Sequence, residues 1–286
     1  MKVLKKIFNY KTLLILLGIL VITLLSSRFI SFSASPEEIE LAFSKTNFQP
    51  ISHYEKFEEG DLHYITVGDS SKRSLILIHG SPGSWDAWMS LCTDTKLLKK
   101  YYVIAIDRAG YNKTSLKGKY TLQEQSEFLK PIMHKYCDSC ILAGHSYGGG
   151  LAMQVAMDYP TNLVGVVSIA GTVAAPFQKL KWFNYAMNYS PAQWLVADDL
   201  ANSNSEMWRL QKDLPKMNSG LKNFKAKVAI VQGKEDMIVN SQSATYLEQE
   251  LTMATVKLIE KEDMNHFVIW SDQNLVLEAL DWIENQ

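Results

Sequence analysis

The sequence predicts an α/β fold: a mostly parallel central sheet with helices on both faces and an inserted helical cap. Three observations carry this expectation. Short continuous apolar runs recur at Ser74–Ile78, Tyr101–Ile106, Ser139–Ala143, Leu163–Ala170, Ala226–Val231 and Thr255–Ile259, the texture of strands buried on both faces. Helical patterns separate them, at about Trp85–Lys99, Thr121–Tyr136, Tyr147–Tyr159, Ser241–Leu251 and Asn274–Glu284. That alternation produces parallel strands joined by crossover helices. The stretch from Thr172 to Phe224 holds no clean strand and concentrates Phe177, Trp182, Phe183, Tyr185, Tyr189, Trp194 and Trp208. It reads as the helical cap, with most of its aromatics expected to pack it onto the sheet.

Taken in order, residues 1–35 come first and differ from the rest. Lys2, Lys5, Lys6 and Lys11 precede the uncharged run Thr12–Leu25, which Ser26, Ser27 and Arg28 follow. This is the grammar of an export signal or membrane anchor. The run is shorter than the roughly 20 residues of a full span, although Phe29, Ile30 and Phe32 extend it. Both an uncleaved anchor and a signal cleaved after Ser31-Phe32-Ser33 stay open. In either case the flanking lysines place the body of the chain outside the cytoplasm, on the periplasmic side or beyond.

Residues 36–286 form the globular part. The 286-residue chain is 47% hydrophobic and 21% charged, enough to bury a large core. Five of the 29 basic residues lie in the leader and none of the 30 acidic ones, so the body carries 24 against 30 and a net charge of −6. An acidic body without a basic stripe argues against nucleic-acid binding. The membrane is reached through the N-terminal segment, and nothing specifies an oligomeric state. Cys92, Cys137 and Cys140 are too few for a disulfide scaffold. Cys137 and Cys140 have redox-motif spacing but sit before a strand rather than at a helix start, which leaves a small structural disulfide or plain core thiols.

The body opens on two alternating stretches, Ile51–Phe57 and Leu62–Val67, read as an antiparallel hairpin. Further on, Gly144-His145-Ser146-Tyr147-Gly148 matches G-x-S-x-G directly between an apolar strand and a helical run. A nucleophilic serine on a strained strand-to-helix turn needs that context. Small residues at 144 and 148 let strand and helix approach, and the helix N-terminus adds partial positive charge beneath the hydroxyl.

A serine hydroxyl needs a base. Of six histidines, His145 adjoins the serine and would point away, His79 follows the third strand, His53 and His63 lie in the hairpin, and His134 lies in a helix. His266, between the last strand and last helix, remains. Asp236, at the strand end of Gly233-Lys234-Glu235-Asp236, is the candidate to orient it, with Glu235 and Asp263 as weaker alternatives. The turn His79-Gly80-Ser81-Pro82-Gly83-Ser84 offers the Ser81 backbone N–H as one oxyanion donor, and the Tyr147 N–H offers the second. The mechanism these residues imply needs neither a metal nor an organic cofactor.

From about residue 51 onward the sequence resembles the α/β-hydrolase superfamily. It is similar to the group with an HG-x-P-G oxyanion turn that includes epoxide hydrolases, haloalkane dehalogenases, proline iminopeptidases and carboxylic-ester hydrolases. The loop Asp107–Thr114 is similar to that group's D-x-x-G-x-G-x-S, with Asn112 and Thr114 as departures, and is expected to be structural. Epoxide hydrolases and dehalogenases of this group carry an aspartate at the elbow where this chain has Ser146, so the resemblance implies acyl transfer. Asn265 replaces the glycine common before the group's histidine. A small-molecule acyl substrate follows. A small ester or lactone is the first expectation, an amide or terminal peptide bond the second and a C–C bond the third. A non-catalytic binding protein of the same fold is the competing class.

Overall fold

The computed structural model describes residues 10–285; Lys2, Lys5 and Lys6 of the leader lie outside the described residues. Its centre is an eight-stranded sheet in the order β1-β2-β4-β3-β5-β6-β7-β8. The strands are β1 Ile51–Phe57, β2 Gly60–Val67, β3 Arg73–Ile78, β4 Tyr101–Ile106, β5 Cys140–His145, β6 Leu163–Ile169, β7 Lys227–Gly233 and β8 Val256–Lys261. β2 runs antiparallel to both β1 and β4, and every other pairing is parallel. The hairpin and all six apolar runs are therefore strands, with ends shifted by one or two residues.

Each buried strand contributes to two cores. Ile76, Ile78, Ile104, Ile106 and Leu142 face one layer, while Leu75, Leu77, Val103, Ala105 and Ile141 face the other. The period of two in side-chain direction makes a continuous apolar run serve both.

Helices follow the expected pattern, with one correction. α1 spans Tyr10–Ser26 and α2 Pro36–Phe43, the latter started by a Ser35–Glu38 capping box. The expected helix Trp85–Lys99 is broken into a 3-10 turn at Trp85–Trp88, α3 Met89–Cys92 and α4 Thr95–Leu98. Asp94 causes the break: its carboxylate accepts from the Lys96 and Leu97 N–H groups and starts a new helix. α5 Leu122–Tyr136 begins on a Thr121–Glu124 capping box, and α6 is Tyr147–Asp158. Between β6 and β7 come α7 Trp182–Met187, α8 Ser190–Leu195 and α9 Asp198–Asn218. α10 Gln242–Glu250, α11 Val268–Ser271 and α12 Gln273–Asn285 complete the chain.

A second correction concerns the aromatics of the insertion. Trp182, Phe183, Tyr185, Tyr189 and Trp194 are exposed, so packing onto the sheet is not their role. Of the three cysteines, Cys137 and Cys140 form a disulfide between α5 and β5, whereas Cys92 is free and buried.

Candidate active site

Parallel strands present their carboxyl ends on one edge, and loops after β3, β5, β7 and β8 meet there. Ser146 follows β5 directly and holds φ 56°, ψ −122°, a backbone conformation that costs a non-glycine residue about 1–3 kcal/mol. Two close approaches enforce it. A Cβ on Gly144 would collide with the Gly148 carbonyl, and one on Gly148 with the Ile78 carbonyl of β3. The turn is further tied by Ser146 N–H donating to the Ile169 carbonyl and Gly149 N–H to the Ser146 carbonyl.

His266 Nδ1 lies 2.7 Å from Asp236 Oδ2. Asp236 is held in turn by N–H donors from Ile238 and Val239, each at 2.8 Å to Oδ1, and by Gln232 Nε2 at 3.1 Å to Oδ2. Burial opposes ionisation of Asp236, but the His266 hydrogen bond and charge and the two backbone donors outweigh it, and its pKa falls below the usual carboxylate value. Glu235 and Asp263 are exposed. The β7 end and the His266 loop are in contact because Gly233 has no Cβ to strike the Met264 carbonyl. Glu235 N–H donates to that same carbonyl at 3.0 Å.

Ser146 and His266 share the wall of one cavity of about 930 Å³, and no direct hydrogen bond joins their side chains. With Nδ1–H given to Asp236, His266 Nε2 is left as the acceptor that could receive a proton. His145 also lines this cavity, but its ring nitrogen is engaged elsewhere. Its Nε2 donates to the His266 carbonyl at 2.9 Å, and its ring packs edge-on against Trp270. Burial, then the neighbouring His266, lower its pKa to about 3, so it stays neutral and props the loop that carries His266.

The Ser81 and Tyr147 backbone N–H groups have no hydrogen-bond partner among the described residues. Ser81 belongs to a turn held from beneath by His79, whose Nδ1–H donates to the Gly80 carbonyl and whose Nε2 accepts from Arg108 N–H. Arg108 also donates to the His79 and Gly80 carbonyls. The Asp107–Thr114 loop fits a structural role. Asp107 accepts from His63, Trp85 N–H and Asn112. Asn112 takes the left-handed conformation, φ 46°, which asparagine tolerates better than most residues. Thr114 donates to the Asp107 carbonyl.

Sequence reasoning missed two features. Glu206 of α9 enters this network from the insertion, and nothing in its helical neighbourhood marks it. Residues Ser31–Ala34, read as a cleavage site with Phe32 as an extension of the apolar run, line the Ser146 cavity. A second cavity of about 620 Å³ lies under α7 and α9 and shares Ser81 and Ile238 with the first.

The chain is 31% identical over 111 residues to human epoxide hydrolase 4, covering 37% of this chain and 30% of that protein. It is likewise 31% identical over 113 residues to Caenorhabditis elegans epoxide hydrolase 1, covering 38% and 28%. The matched region thus spans less than a third of those relatives. Among solved structures, a Bacillus subtilis carboxylesterase superposes with a TM-score of 0.65 at 15% identity, covering 87% of this chain and 96% of its own. A bacterial membrane phospholipase A superposes with a TM-score of 0.64 at 18% identity over 100% of both chains. These likenesses establish the fold. The family model described as the alpha/beta hydrolase family matches residues 75–279, and the chain belongs to that family.

Proposed function

We propose that the chain is a serine hydrolase that cleaves a carboxylic ester or lactone through an acyl-enzyme on Ser146. The observation that carries this reading is Ser146 at positive φ in one cavity with His266, whose Nδ1 is bonded to Asp236. In the proposed reaction His266 Nε2 takes the Ser146 proton as Oγ attacks the carbonyl carbon. Asp236 fixes the imidazole tautomer and stabilises the imidazolium. The Ser81 and Tyr147 N–H groups receive the developing oxyanion. The imidazolium then protonates the leaving alcohol, and a water deprotonated by His266 releases the acid.

A serine at the elbow, rather than an aspartate, favours acyl transfer over epoxide opening. Residues 172–224 are taken as the cap over the site. α1 is taken as a membrane anchor with the hydrolase domain outside the cytoplasm; the 18-residue window Thr12–Phe29 is long and apolar enough to cross a membrane.

Pre-steady-state hydrolysis of a p-nitrophenyl ester tests the reading. A burst of p-nitrophenol equal to the enzyme concentration is expected, and Ser146→Ala abolishes it. Turnover that survives Ser146→Ala refutes the acyl-enzyme.

A further inference from the structure

The segment that joins α1 to the hydrolase domain crosses the Ser146 cavity. Ser31, Phe32, Ser33 and Ala34 line it together with Ser146 and His266. The strap is fastened at both ends. Toward the domain, Ala34 N–H donates to Asp86 Oδ2 at 2.9 Å and Ser84 Oγ donates to the Phe32 carbonyl at 3.1 Å. The chain then enters α2, whose Phe43 is fully buried. Toward α1, Ala197 N–H donates to Ser27 Oγ at 3.1 Å, and Arg28 donates to the Trp194 carbonyl at 2.5 Å.

α1 therefore ends against the insertion, and the cavity wall begins five residues after Ser26. Even a fully extended chain covers no more than about 18 Å in that interval. Around this junction Phe29 is 91%, Trp194 71% and Tyr189 72% exposed. Large exposed aromatics beside the end of an apolar helix match the belt at a membrane–water interface, where their rings sit at headgroup level. The rest of the cavity wall is rich in apolar groups, among them Met89, Ile238, Phe267 and Trp270.

We propose that the substrate is a long-chain carboxylic ester drawn from the bilayer that holds α1, with Ser31–Ala34 as the wall that guides its acyl chain to Ser146. This rests on the esterase reading of Ser146 and narrows it from any ester to a membrane lipid ester. Cleavage after Ser33 would cut this wall, so the anchor is retained in the working enzyme.

The test uses the full chain reconstituted in vesicles of ether-linked phosphatidylcholine, which offers no ester of its own. The vesicles carry p-nitrophenyl butyrate or palmitate, and in separate arms dioleoylglycerol or dioleoylphosphatidylcholine. Palmitate turnover at least ten-fold above butyrate is expected, with oleate released from at least one dioleoyl lipid; the arm that releases it identifies a neutral or a phospholipid source. Phe32→Ala should lower the palmitate-to-butyrate ratio about ten-fold and Phe32→Leu should restore most of it. Fluorophosphonate labelling verifies that each variant is folded around the site. Butyrate turnover with labelling, but without palmitate preference or oleate release, overturns the proposal and leaves the esterase reading standing. An unchanged ratio in labelled Phe32→Ala overturns the role of the strap. Absence of both labelling and butyrate turnover removes the esterase reading, and the proposal with it.

Discussion

Glu206, on the helical insertion, forms an ion pair with Arg108, behind the Ser81 turn: Arg108 Nη1 lies 2.6 Å from Glu206 Oε1, with side-chain exposures of 1% and 4%. The same carboxylate accepts from the Ser81 hydroxyl at 2.5 Å and the Tyr111 hydroxyl at 2.8 Å. The Arg108 guanidinium lies 4.8 Å and 4.4 Å from the Tyr111 and Tyr147 ring centres. One buried charge pair thus ties the insertion to the turn that offers the Ser81 N–H.

Removing one partner strands the other charge in a medium that solvates it poorly. Glu206→Ala is expected to cost about 3–5 kcal/mol, read from the midpoint shift in urea denaturation. The double replacement Arg108→Met with Glu206→Leu should recover only part of that loss: it leaves no buried charge, but it strands the Ser81 and Tyr111 hydroxyls that bonded to Glu206. A Glu206→Ala cost below about 1 kcal/mol would show that the pair does not tie the insertion down.

The elbow makes a steric prediction. A methyl group on Gly148 must displace the Ile78 carbonyl of β3, and overpacking of this kind typically costs about 1–3 kcal/mol. Gly148→Ala should lower stability by that amount in thermal unfolding and slow ester turnover more than ten-fold, because Ser146 shifts with the turn.

Acid sensitivity should trace to His145. Its pKa falls from 6.5 to about 3 on folding. Between those values the unfolded chain binds a proton that the folded chain refuses, so stability falls as pH drops through this window, by about 1.4 kcal/mol per unit. Asp236, whose folded pKa lies below the usual carboxylate value, adds a loss of the same sign once the pH falls below the ordinary carboxylate range, at the acid end of this window and beyond. His145→Gln should flatten the dependence of stability on pH between 6.5 and 3 by one proton's slope. His79, also held neutral by burial and then by Arg108, leaves a residual slope of the same sign.

Asp236→Asn keeps the size of the side chain but removes the charge that fixes the His266 tautomer. A fall in kcat of about three to four orders of magnitude is expected, with little change in KM. An unchanged kcat would reassign the partner of His266.

The sheet and the Ser146 elbow were legible because their determinants are local. Continuous apolarity marks a strand covered on both faces, and Gly144 and Gly148 record a backbone crossing that admits no Cβ. His266 and Asp236 were reached through strand-end position, which the chain order preserves. Glu206 was not legible: it lies 98 residues beyond Arg108, on a polar helix where a glutamate is the ordinary solvent-facing choice. The strap at Ser31–Ala34 was hidden for a different reason, since small residues after an apolar run suit a cleavage site and a close-packed cavity wall equally well. The break at Asp94 was a local signal overridden by apolar periodicity.

The central claim is that Ser146 is the nucleophile. Fluorophosphonate labelling of the folded full chain, with the adduct mapped by peptide mass spectrometry, tests it most directly. One adduct per chain is expected on the peptide that contains Ser146, absent in Ser146→Ala and formed much more slowly in His266→Ala. A folded protein that forms no adduct, or that carries it on another residue, would contradict the account.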